Sequence, residues 1–234
     1  IAYPHIHRQV YFPPSQVKLV KLDVQNRAKK VGYIMGAGDE VADALRHLGV
    51  EVTMLTDDML ETSDLSSFDA IVAGVRAYNT RDRLKNAKPR LLEYVERGGT
   101  MVVQYNVASP ILAGRIGPYP LTIGRDRVTV ETAPVTFLIP GHPLLNFPNK
   151  ITAADFEGWV QERGLNFPSS WDPKYEAVLA SHDPGEQDLK GGLLCAQHGK
   201  GVFIYTAYAW FRELPAGVPG AFRIFANLIS AGKR

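Results

Sequence analysis

With one cysteine in 234 residues, Cys195, the chain can form no internal disulfide and build no Cys-rich metal site. A dominant charge is lacking as well: 26 basic and 24 acidic side chains leave a formal +2, too little to draw nucleic acid or anionic lipid. No apolar run approaches the roughly 18 residues that a membrane span needs. The opening residues, Ile1 to Pro14, hold neither an initiating Met nor the apolar stretch of a signal peptide, and the expectation is a piece of a longer chain. Internal repeats and low-complexity tracts are missing too. What is present is ordinary globular material: 45% hydrophobic, 21% charged, with 21 Gly and 16 Pro, enough to bury a core.

The first 28 residues are β-like and punctuated by proline. Val17-Lys18-Leu19-Val20-Lys21-Leu22 alternates as an edge strand or the tail of a preceding β-domain does. A domain boundary is expected in the polar break Gln25–Lys30, giving a β segment over 1–28 and an α/β domain over 29–234. From Lys30 the rhythm changes. Val31–Met35 is a buried strand ended by Gly36-Ala37-Gly38, and Asp39 caps a helix that presents Val41, Ala44, Leu45 and Leu48 before Gly49 stops it. Val50–Leu55 and Asp69–Val75 are the next strands, joined by an acidic, Ser-rich connection. Thr80 is expected to cap a helix over Arg81–Arg97, kinked or split by Pro89, before a strand at Thr100–Gln104. Strands alternating with helices in this way predict a mainly parallel sheet covered on both faces.

Between about 107 and 191 the pattern turns irregular and proline-rich, which predicts an insertion with structure of its own, including β pieces at Arg127–Glu131 and Glu176–Ser181. Gly192–Gln197 and Gly201–Thr206 form a hairpin around His198-Gly199-Lys200. A last helix starts at Pro219 and faces inward with Phe222, Phe225, Leu228 and Ile229.

Residues that carry chemistry are few. Gly36-Ala37-Gly38-Asp39 lacks the third glycine of a dinucleotide loop, and its acids would repel phosphate, so a tight turn with a cap is the better reading. Cys195 lies inside an apolar strand and reads as structural, and no G-x-S-x-G elbow occurs. His5 and His7 share a face without a third ligand, and no H-E-x-x-H is present, so neither a metal nor another cofactor is called for. Asp155 and Glu157 beside Trp159, with Trp171-Asp172 beyond, offer carboxylates near aromatics, but their separation is not legible in sequence. A more promising set collects where strand carboxyl ends converge. Asp39 follows the first strand; Arg76, Tyr78 and Asn79 follow the third; Tyr105 and Asn106 follow the fourth. Tyr205, Tyr208, Trp210, Arg212 and Glu213 follow the last. That edge is where an open α/β sheet forms a small-molecule crevice, and aromatic rings beside Asn, Asp and Arg suit a sugar. The same groups could instead anchor the insertion to the sheet.

The order of strands and helices resembles the class I glutamine amidotransferase-like fold, a three-layer flavodoxin-like arrangement shared with ThuA-like proteins. Longer stretches resemble the C-terminal region of long bacterial PIG-L (LmbE-like) deacetylases: Tyr3–Ile6, Val31–Asp39, His142-Pro143-Leu144-Leu145-Asn146, Ile151–Trp159 and Leu214–Gly220. Two departures limit what carries over. The amidotransferase nucleophile belongs in a G-x-C-x-G elbow, where this chain has Gln104-Tyr105-Asn106-Val107. The deacetylase metal motif pairs His-Pro with two acids, where this chain has Leu144-Leu145. The resemblance therefore implies a non-catalytic accessory domain whose metal-dependent deacetylase partner lies upstream in the same chain. Its roles would be carbohydrate binding, domain packing or homo-oligomerisation. The alternative is a hydrolase or sugar-processing enzyme working in the crevice. Since long members of that group are often exported, the resemblance points to a periplasmic or secreted bacterial protein.

Overall fold

A computed structural model describes residues 3–233. The first strand, β1 (Lys30–Ile34), is buried from its second residue onward. The turn after it feeds α1 (Val41–His47), where Glu40 occupies the N-cap position but the Asp39 carboxylate accepts from the Val41 N–H at 3.0 Å. Next come β2 (Glu51–Met54), α2 (Asp57–Thr62), β3 (Ala70–Ala73), α3 (Ala77–Thr80), α4 (Leu84–Glu96) and β4 (Thr100–Val103). The irregular region contributes β5 (Leu121–Ile123), β6 (Arg127–Val128), β7 (Val135–Phe137), β8 (Gly164–Leu165), β9 (Pro168–Trp171) and β10 (Glu176–Ser181). The hairpin is β11 (Leu189–His198) and β12 (Gly201–Thr206), with His198 opposite Gly201, so its turn is Gly199-Lys200 alone. Short α5 (Trp210–Glu213) and then α6 (Pro219–Ile229) complete the order.

Eight strands make one sheet in the order β2-β1-β3-β4-β12-β11-β10-β7. The first five run parallel, and β11, β10 and β7 extend the sheet antiparallel. The irregular region is thus partly sheet: β7 and β10 are its far edge, while β5–β9 and β6–β8 form two small ladders outside it. Alternate residues of the parallel strands face opposite layers, as the pleat requires. Tyr33, Val72, Val102 and Ile204 point into a core shared with α1 and α6. Ile34, Ile71, Met101 and Phe203 point into a second core shared with α2 and α4. This gives the three-layer, mainly parallel α/β architecture expected from the alternation.

Several local expectations change. Among the described residues no strand precedes Lys30: the backbone before it pairs with no ladder, and the sheet edges are β2 and β7. The acidic connection after β2 is the helix α2, capped by Thr56, whose hydroxyl accepts from Met59 N–H at 3.2 Å. Asp57 and Asp58 in its first turn suit the positive end of the helix dipole. Thr80 does not cap the following helix. It ends α3, its hydroxyl donating back to the Arg76 carbonyl at 3.1 Å, and the chain breaks at 81–83. Pro89 lies inside α4 without dividing it, and Lys85, whose carbonyl loses its usual N–H partner there, is an exposed residue. No helix among the described residues is long and apolar enough to cross a membrane.

Candidate functional site

The carboxyl ends of β1, β3, β4 and β12 meet at one edge of the sheet. There a cleft of about 450 Å³ is lined by Gly38, Asp39, Glu40, Gln161, Phe211 and Arg212, among others. One wall is the loop 157–163, carried in from the irregular region. It is stitched to the chain beyond β12 by backbone bonds: Ala209 N–H to the Arg163 carbonyl and Leu165 N–H to the Ala207 carbonyl, both 2.9 Å. The other wall comes from the turn after β1 and from α5 with the residues that follow it.

The six residues expected to bind a ligand divide by what their polar groups do. The Asp39 carboxylate is fully engaged: one oxygen accepts from the Tyr33 hydroxyl and the Val41 N–H, the other from the Val75 N–H at 3.0 Å. Burial and that carboxylate together push the Tyr33 hydroxyl well above its ordinary range, which keeps it a neutral donor. Asn79 donates to the carbonyls of Val107 (3.0 Å) and Pro110 (2.7 Å) and accepts from Val107 N–H (2.9 Å), tying down the loop after β4. Asn106 accepts from Tyr78 N–H at 3.0 Å and donates to the Gln104 carbonyl at 2.9 Å. Tyr78 is enclosed, and burial raises its hydroxyl. Arg76 and Tyr105 are different. Both are half-buried at the edge, joined backbone to backbone by Arg76 N–H to the Tyr105 carbonyl at 2.9 Å. Arg76 adopts a left-handed conformation (φ 58°), and its buried Nε has no hydrogen-bond partner.

Around Tyr105 the structure gathers side chains that sequence spacing does not reveal. Phe211 stacks beside it with ring centres 5.4 Å apart, and the Arg212 guanidinium lies over the Phe211 ring at 4.8 Å. Arg212 pairs with Glu162 at 2.8 Å and also donates to the Gln161 side chain. Burial raises the Tyr105 hydroxyl, and the nearby Arg76, Arg212 and Arg127 pull it back down. Arg127, Gln161, Glu162 and Phe211 come from segments that only the fold brings together. Gln161, in a left-handed conformation (φ 67°), has its N–H held by Glu131 at 2.9 Å.

Behind this wall sits Glu213, wholly buried. One carboxylate oxygen accepts from Val160 N–H at 2.9 Å and the other has no partner. Burial pushes its pKa up to about 7, opposed by the Val160 bond and by Arg163 and Arg212. Tyr205, Tyr208 and Trp210 are core residues. The Tyr205 hydroxyl accepts from Asn106 N–H at 3.1 Å, and Trp210 donates to Thr206 at 2.8 Å. Trp159 is buried against Trp210, with Arg163 stacked over it, and Asp155 pairs with Arg223 at 2.7 Å. Trp171 packs on the opposite face of the sheet, so the two tryptophans form no common site. Cys195 is buried in β11 opposite Ile204, as its apolar setting implied. Among the described residues no three His, Cys, Asp or Glu side chains are grouped to hold a metal ion.

The sequence matches no protein-family model and no curated protein. Solved structures do match in fold. A Thermoplasma acidophilum protein, described as one of the subunits of GMP synthase, aligns over 89% of this chain and 96% of its own, with TM-score 0.56 and 13% identity. A ThuA-like protein of Bacteroides uniformis aligns over 94% and 96%, with TM-score 0.52 and 14% identity. Alpha-L-fucosidase isoenzyme 2 of Paenibacillus thiaminolyticus aligns over 90% of this chain but only 33% of its own, with TM-score 0.55 and 16% identity. At these identities the likeness is one of fold. The architecture is the α/β, flavodoxin-like one of class I glutamine amidotransferase-like and ThuA-like proteins.

Proposed function

We propose that this chain is a non-catalytic accessory module on the amidotransferase-like fold, and that the cleft at the carboxyl edge of its parallel strands binds carbohydrate. The observation that carries the reading is the make-up of the cleft and its rim. The Tyr105 and Phe211 rings stand 5.4 Å apart, beside the amide of Gln161 and the guanidinium of Arg212. Half-buried rings offer an apolar face for the C–H side of a sugar, and planar polar groups beside them can take its hydroxyls. The position after β4, where glutaminase chemistry needs a thiol, holds Tyr105 and Asn106, and the chain's one thiol is enclosed in β11. The fucosidase neighbour supports the accessory part, because the fold accounts for one third of that sugar-processing chain.

In this reading the catalytic partner is a PIG-L-type deacetylase upstream in the same chain. The stretches Val31–Asp39, His142–Asn146 and Ile151–Trp159 support that choice. A screen of thermal unfolding against neutral, amino and acidic sugars tests the proposal. Ligand at 100 times its Kd stabilises by about 2.7 kcal/mol, an upward shift of several degrees. No shift with any saccharide class would overturn the binding role. A second reading, a hydrolase at the same edge, would need Glu213, buried behind the cleft wall with its pKa pushed up to about 7, to come within reach of a ligand. Turnover of a glycoside or an acetylated sugar by this chain, abolished in Glu213→Gln, would displace the accessory reading.

A further inference from the structure

Seven of the ten large apolar side chains that stand exposed among the described residues lie before residue 20. They belong to a strap, residues 3–19, that pairs with no ladder. Tyr11, Phe12, Val17 and Leu19 are each at least 75% exposed, so this apolar run has no cover in a single copy. Where the strap reaches the α/β domain, Lys18 donates to the Ala216 carbonyl at 2.7 Å, and Val20 and Leu22 become half-buried. Beside them opens a groove of about 360 Å³, between α1 and the residues after α5. Buried Ala44, Leu214 and Phe222 line it, with Val20 and Leu22 on one side and Glu40 and Asp43 on another. Glu40 is exposed and forms no ion pair among the described residues, while Asp43 is paired with Arg46. The strap has the opposite character: from Tyr3 to Leu22 the chain holds Arg8, Lys18, Lys21 and two histidines, and no acid.

We propose that this groove receives the strap of a second copy of the chain, with Tyr11 and Phe12 as its apolar anchors, in a reciprocal two-fold exchange. A basic, apolar segment meets an apolar groove whose unpaired charge is Glu40. Return of the strap to its own groove is hindered. Val20 and Leu22 already form one side of it, so the chain would have to reverse within residues 13–19, which begin with Pro13-Pro14. Two prolines hold the backbone extended and bias Phe12 before them the same way. Fully extended, residues 11–19 span roughly 30 Å, enough to cross to a neighbouring copy. An aromatic side chain buries about 150–250 Å², so the four rings of two straps supply about half of the 1,200–2,000 Å² that a stable association buries. Two-fold symmetry fills both grooves at once and leaves no open end for a filament. Glu40 and Pro215 border the cleft as well as the groove, which sets the exchanged strap beside the cleft. The exchange does not depend on what the cleft binds.

Sedimentation of the chain over a range of concentrations tests this. A monomer–dimer equilibrium is expected, with monomer in dilute solution, where the strap adds little to the fold. Phe12→Ser is expected to weaken the dimer by about a hundredfold, as loss of an aromatic anchor does, and Glu40→Lys by about tenfold. Both positions are exposed, so neither change disturbs the core. Removal of residues 1–17 is expected to leave monomer alone. The pair Phe12→Cys and Asp43→Cys in one chain identifies the occupant: oxidation is expected to give covalent dimers, the native Cys195 being buried. Monomer at every concentration overturns the exchange and leaves the strap to a different partner. A dimer that persists without residues 1–17 overturns it as well, because its interface then lies elsewhere. Bridges formed within single chains overturn it in favour of a strap folded back on its own groove.

Discussion

Asn106 joins three parts of the sheet edge at once. Its side chain holds Tyr78 N–H and the Gln104 carbonyl, and its own N–H reaches the Tyr205 hydroxyl. Asn106→Ala leaves two buried backbone groups without partners and is expected to cost about 2–4 kcal/mol. Asn79→Ala releases both bonds to Val107 and the one to Pro110 and is expected to act similarly. If both proteins still bind saccharide below their lowered Tm, the asparagines are struts; lost binding with unchanged Tm would place them in the site. Glu213 gives a prediction of another kind. Its folded pKa, about 7, stands above the ordinary 4.5, so the native state holds the proton more tightly than the unfolded chain does. The stability this contributes is complete below the unfolded value and is lost as pH rises through about 7. It amounts to something on the order of 3 kcal/mol, with Arg163, Arg212 and Glu131 as the charged groups facing it. Wild type is expected to lose more stability than Glu213→Gln between about pH 5 and pH 8, since the amide keeps the Val160 bond without a charge. Parallel pH curves for the two proteins would rule this out. Of the six residues expected from sequence to bind, Asp39 lines the cleft with its carboxylate taken up inside the fold, and Arg76 and Tyr105 are half-buried at the edge beside it. Spacing along a chain says which residues leave a strand end, but not which of them a neighbouring loop will occupy.

At the scale of elements, α6 and the single turn Ala153–Phe156 make a joint that reverses a usual rule. Glycine in a helix normally costs about 1 kcal/mol relative to alanine. Gly220, in the first turn of α6, lies so close to Asp155 that an added Cβ would stand 1.9 Å from its carbonyl oxygen. The approach is fixed by Arg223, which pairs with Asp155 and donates to the Lys150 carbonyl at 2.8 Å. Gly220→Ala is therefore expected to destabilise by about 2–3 kcal/mol or more, read as a lower Tm, instead of gaining helix propensity. A rise in Tm would show the joint to be slack. The same element explains what was legible. Pro219 at the first helical position and the inward Phe222, Phe225, Leu228 and Ile229 are local signals, and α6 begins where they put it. The parallel strands were legible for a related reason: burial on both faces leaves short apolar runs. α2 was hidden because only Leu60 of its residues is fully buried, so its helical pattern scarcely shows. The cleft wall 157–163 was hidden because the bonds that tie it to the rest of the fold run to residues about 30 to 55 positions away.

Considered as one molecule, the chain has a body and a strap. Residues just before β1 belong to the body. Ala28 is buried, Leu22 packs against the core, Gln25 exchanges bonds with Asn149 at 2.8 Å each way, and Arg27 N–H donates to Ser230 at 3.0 Å. Farther toward the N-terminus, anchoring thins out to contacts such as Lys18 with the Ala216 carbonyl at 2.7 Å. Tyr11, Phe12, Val17 and Leu19 are 75–89% exposed. A large apolar side chain gains roughly 1.5–3 kcal/mol from full burial, and these four gain little of it against this body. The expected division of the chain at residue 28 is thus best tested as two cuts. Removal of residues 1–17 is expected to leave Tm within about a degree, because few contacts to the body are lost. Removal of residues 1–28 is expected to lower it by many degrees, because Ala28 and Leu22 leave a core whose α6 they cover. Equal Tm for the two truncated proteins would move the edge of the body to β1. A large loss on the shorter cut would instead make the exposed strap part of the fold.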